Sequence, residues 1–176
     1  MAAWMREVRG WGQDVIHVLT EACYVLDNPD MSGDSRNRLC ERLSALVDIG
    51  RFYLPNQGPM SHGAHKPAAY RGYRHRALDP LVAATRVLNL GLPNGPDEAK
   101  VMRELRREFV SALFLILGPE HHNKIIGRII RTTHTSRSND KSVGGLTPSD
   151  NDIPSGAKAL LDQVISRIKL ATNTER

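Results

Sequence analysis

A chain of 176 residues, 40% apolar and 24% charged, is long enough for one domain with a real core, short for two, and unlike a disordered polymer. Two cysteines are too few for a disulfide scaffold, and the most apolar stretch, Val110 to Leu117, falls far below the roughly 20 residues of a membrane span. The formal charge of +5 gathers in residues 51–79, where Arg51, Lys66, Arg71, Arg74 and Arg76 outweigh Asp79, and in residues 120–141, which fits an anion-binding surface better than general solubility.

The opening MAAWMREVRGWG mixes Arg6, Glu7 and Arg9 into its apolar residues, so it does not read as a secretory leader and a cytoplasmic location is expected. Val8, Trp11, Val15, Leu19, Ala22 and Leu26 recur at helical spacing and predict a first helix from Met5 to Leu26. DNPDMSGDS then supplies a turn, and Asp34 or Ser35 caps a second helix carrying Leu39, Leu43, Leu46 and Val47, with Gly50 as its expected stop. Cys23 and Cys40 fall on these two helices, as buried thiols.

From Arg51 to Tyr73 the chain carries Pro55, Gly58, Pro59, Gly63, Pro67 and Gly72, so a long ordered loop, about 51–78, is expected. Asp79 followed by Pro80 predicts a capped third helix from Pro80 to about Asn89, ending at Gly91. In LPNGPDEAK, Asp97 and Glu98 face the positive end of a fourth helix. Val101, Leu105, Ala112, Leu113 and Leu117, with Met102, Phe109 and Ile116, give that helix a broad apolar face at the centre of the core. Glu104 and Glu108 are expected to pair within it, with Arg107 and Arg103.

A further helix is predicted at His121 to Arg131, with Ile125, Ile126, Ile129 and Ile130 inward. Thr132 to Pro154 has almost no apolar residues and predicts a mobile linker, about 132–154. Ser155 then caps a last helix through Leu161, Val164, Ile165 and Ile168. The whole chain, 1–176, thus reads as an all-α, single-domain bundle of about six helices.

The 51–79 tract holds Phe52, Tyr53, Tyr70 and Tyr73, four of the nine aromatic residues, interleaved with arginines. Arg forks grip phosphate or carboxylate and Tyr rings offer stacking faces, so Arg51, Tyr70, Arg71, Tyr73, Arg74 and Arg76 are the candidate ligand-binding residues. The same residues can instead pin the loop to the bundle, rings inward and cations on helix carbonyls or internal carboxylates.

His62 and His65 have metal-like spacing near His75 and Asp79. The loop nevertheless lacks cysteine and the chain lacks an HExxH helix, so neither a metal nor a cofactor is expected. There is no GxSxG, GxxxxGKS or GxGxxG either. Arg128 and His134 have the Arg-x5-His spacing that resembles the active-site motif of the higher-eukaryote and prokaryote nucleotide-binding helical family, whose bundles often cut RNA without metal. The resemblance implies His134 as general acid or base and Arg128 as stabiliser of phosphate charge. The first expectation is a non-enzymatic binding or adaptor protein for a nucleic acid or an acidic protein; a metal-independent endoribonuclease is the alternative. A subunit that self-associates through surplus apolar positions on the fourth helix is the third.

Overall fold

A computed structural model describes residues 2–28, 33–92, 97–118 and 156–174. They form five α-helices: α1 Ala2–Asp27, α2 Gly33–Tyr53, α3 Asp79–Leu90, α4 Glu98–Leu117 and α5 Gly156–Thr174. Two single 3₁₀ turns, Ala68–Tyr70 and Arg76–Leu78, interrupt the α2–α3 connection, and no strand occurs among the described residues. The all-α class is as the hydrophobic periodicity predicts. The helix expected at 121–131 and the mobile loop expected at 132–154 lie outside the described residues, among which five helices are counted.

Side chains at helical spacing on each helix meet in one hydrophobic cluster. Val8, Trp11, Val15 and Leu19 of α1, Leu39 and Leu43 of α2, Leu81 and Val87 of α3, Leu105 and Phe109 of α4, and Val164 of α5 are all buried in it. Each such side chain contributes roughly 1.5–3 kcal/mol by leaving water. Trp11 ties three helices together: its Nε1–H donates to Leu46 O at 2.9 Å and its ring meets Phe109 edge-on at 5.6 Å. The bond meets the usual requirement that a buried indole N–H find an acceptor.

Helix α1 runs antiparallel to α2 and to α4, as its contacts require. Glu21 of α1 pairs with Arg42 of α2 while Trp11 reaches Leu46. Asp27 at the C-terminal end of α1 receives Arg103, and Thr20, about two turns earlier, accepts from Arg106. Glu104 pairs with Arg107 as expected. Glu108, however, reaches across to Arg167 of α5 at 2.7 Å, and Arg103 is committed to Asp27. Helical spacing alone cannot see such partners on other helices.

Two expected boundaries are corrected. Gly50 does not stop α2, which continues through Arg51 and Phe52 to Tyr53. A Cβ at Gly50 would lie 2.6 Å from Leu78 Cδ2 and 2.7 Å from Trp11 Cζ2, so this glycine serves close packing rather than termination. Asp79 does not cap α3 from outside but stands in its first turn, with no side-chain cap on Leu78 before it. Its carboxylate is taken by Arg74 instead. Asp97, by contrast, caps α4, accepting from Ala99 N–H at 2.9 Å.

Candidate functional site

The connection from Leu54 to Leu78 is ordered by its own hydrogen bonds. Gln57 and Tyr73 exchange both backbone bonds, at 2.7 and 2.8 Å, and Gly72 N–H donates to His62 O at 2.8 Å. Gly72 adopts φ 77°, and a Cβ there would lie 2.9 Å from Gln57 O, so the crossing of the two loop arms requires glycine. Asn56 closes the arrangement. Its Nδ2 donates to Ala69 O and Arg71 O at 3.0 and 2.7 Å, and its Oδ1 accepts from Arg51 at 3.1 Å.

The six candidate binding residues separate into held and free groups. Arg51 lies in the last turn of α2, not in the loop, where a cation suits the negative helix end. Its guanidinium stands 4.6 Å over the Tyr70 ring and 3.6 Å from Asp48 Oδ1. The Tyr70 hydroxyl donates to the same carboxylate at 3.0 Å, which pushes the phenol pKa up. Tyr73 stacks on His62, centroids 4.2 Å apart. Arg74 forks onto Asp79, a carboxylate that is itself buried.

Arg71 and Arg76 are different. Arg71 is exposed and donates Nε–H to Lys66 O at 2.9 Å, and Arg76 is exposed at the start of the second 3₁₀ turn. Neither they nor the exposed Lys66 joins an ion pair among the described residues. Met60 is exposed and lies against Gly72, and Phe52 is 84% exposed.

The histidines have other engagements. His62 stacks on Tyr73, and His75 Nδ1 accepts from Ala77 N–H at 3.2 Å; burial lowers the His75 pKa. Among the described residues, no three His, Cys, Asp or Glu side chains gather as metal ligands. Arg128 and His134 lie outside the described residues.

Between α2 and α3 a cleft of about 470 Å³ is lined by Ser44, Val47, Asp48, Tyr70, Val82, Thr85, Arg86, Asn89 and Leu90. Val82, Thr85, Arg86 and Asn89 share a helical face, which is a legible signal, but only the packing of α3 beside α2 turns that face into a wall.

No protein-family model matches this chain, and neither a curated protein nor a solved structure is found to be similar to it. Among the described residues, no helix is long and apolar enough to cross a membrane.

Proposed function

We propose that this chain is a non-enzymatic binding or adaptor protein that engages an acidic protein partner through the outer side of the 54–78 loop. The observation that carries the reading is that Lys66, Arg71 and Arg76 leave their cations unpaired among the described residues, on a backbone that hydrogen bonds already hold in place. A preorganised loop loses little entropy on binding, and unpaired cations favour a negative surface. An acidic protein suits the loop better than a nucleic acid strand. The Tyr70 face carries Arg51 and the Tyr73 face carries His62, which leaves bases fewer stacking surfaces, while exposed Phe52 and Met60 suit apolar contacts.

The reading places the protein in the cytoplasm, where free, buried Cys23 and Cys40 suit a reducing compartment. Its test is fluorescence anisotropy with an acidic, leucine-containing peptide and with single-stranded DNA across a salt series. The peptide should bind more tightly, weakening as salt rises, and Lys66→Ala/Arg71→Ala/Arg76→Ala should lose about tenfold or more in affinity. Unchanged binding by the triple variant would overturn the proposal, and tighter binding of DNA would move it to nucleic acid.

A second reading rests on α4. Val110, Phe114 and Leu115 are 42, 68 and 72% exposed on its C-terminal half, a surplus that favours a self-associating subunit. Sedimentation should then show a dimer that Phe114→Ser/Leu115→Ser dissociates, whereas a strict monomer at all concentrations would exclude it.

A further inference from the structure

The α2–α3 cleft is separate from the three free loop cations, and its chemistry is different. Its size lies within the range of small-molecule sites, about 300–1,000 Å³. Val47, Val82 and Leu90 with the Tyr70 ring supply apolar lining, and Ser44, Thr85 and Asn89 supply polar groups. Two charged residues take part, Asp48 and Arg86.

These two charges are not equivalent. Asp48 already accepts the Tyr70 hydroxyl at 3.0 Å and has the Arg51 guanidinium 3.6 Å away. Its charge is therefore balanced by Arg51. Arg86 is exposed and joins no ion pair among the described residues, so the cleft presents one uncompensated positive charge.

Position sharpens this further. The antiparallel register brings Gly50 against Leu78 and Cys40 against Thr85. Arg86 and Asn89, one helical turn apart on α3, therefore stand toward the end of the cleft away from Asp48 and Tyr70. A guanidinium fork beside an amide N–H₂ matches a carboxylate, and the lining between Val47, Val82 and Tyr70 matches an apolar body. Thr85 Oγ1 donates to Leu81 O at 2.9 Å, which leaves Arg86 and Asn89 as the donors on α3 for an incoming anion.

We propose that the cleft binds a small apolar carboxylate, a monoanion with an aryl or short acyl body, its carboxylate on Arg86 and Asn89. The site does not depend on the acidic-partner reading, since none of Lys66, Arg71 and Arg76 lines it.

The test is amide NMR titration of the full chain with phenylbutyrate, octanoate and the uncharged phenylbutanol. Phenylbutyrate should shift amides in 44–48 and 82–90 and bind about tenfold more tightly than phenylbutanol; the phenylbutyrate-to-octanoate ratio distinguishes an aryl from an acyl site. Arg86→Ala should erase the preference for the anion over the alcohol. Ser44→Trp, a substitution at an exposed helix position, should fill the cleft and block all three ligands. Shifts confined to other residues, equal affinities for phenylbutyrate and phenylbutanol, or undiminished binding by Ser44→Trp would each overturn the proposal.

Discussion

Arg74 directs Nε and Nη2 to a single oxygen of Asp79, at 3.0 and 2.7 Å. The other oxygen of that carboxylate lies against the first residue of α5, where a Cβ on Gly156 would overlap it. Asp79 therefore joins the end of the loop to the start of α3 and to the positive end of α5, a position that suits a carboxylate. Arg74→Ala would leave this buried group without its fork. A loss of about 2 kcal/mol in urea unfolding is expected, since removing one partner exposes the desolvation cost of the other. A loss below about 0.5 kcal/mol would make it an ordinary surface pair.

Two helical glycines should respond oppositely to alanine. A Cβ at Gly10 meets nothing within 4 Å, so Gly10→Ala should stabilise the protein by about 0.5–1 kcal/mol through the unfolded chain's lost freedom. At Gly50 the same change drives a methyl into Leu78 and Trp11, and overpacking of about 1–3 kcal/mol should outweigh the propensity gain. Thermal unfolding of both variants checks the pair of signs.

Acid should weaken the fold through His75. Burial lowers its pKa from the usual 6.5, with Asp79 opposing in part. Folded His75 is therefore neutral where an unfolded histidine already takes a proton. Its contribution is complete above the unfolded value and is lost as pH falls from there through the folded one. His75→Asn keeps an acceptor for Ala77 N–H but does not titrate. Urea midpoints followed from about pH 7.5 to pH 5 should fall less steeply for this variant than for the wild type; parallel curves would place the acid sensitivity elsewhere.

Asn56 should govern loop order without governing the helices. Asn56→Ala removes three hydrogen bonds at once, two to the Ala69 and Arg71 carbonyls and one from Arg51. Faster amide exchange at Gln57, Gly72 and Tyr73 is expected, with unchanged helical ellipticity and weaker binding of the acidic peptide as preorganisation is lost. Exchange rates equal to wild type would show that the Gln57–Tyr73 bridge suffices alone.

Much of the helical framework was legible because its signals are local. The repeats through Val8, Trp11, Val15 and Leu19 and through Val101, Leu105 and Phe109 are buried as their spacing predicts. Asp97 caps α4 within two residues of its own position. Gly50 is ambiguous because the same residue type suits a helix end and a close helix contact, and only the positions of Leu78 and Trp11 distinguish the two. The partner of Glu108 is invisible to helical spacing because Arg167 stands on another helix. Of the six candidate site residues, the sequence located the tract but could not divide it.

An all-α chain, its apolar helix faces and the concentration of positive charge between residues 51 and 79 are all written in the order of the residues. These follow from residue type and from spacings within a few turns of one helix. Which cations are committed depends on how the helices pack. Arg74 and Arg51 meet Asp79 and Asp48, whereas Lys66, Arg71, Arg76 and Arg86 meet no carboxylate among the described residues. Charge adds up along a chain, but pairing depends on distances of a few ångströms in space, and those are set only when α2, α3 and the loop between them pack together.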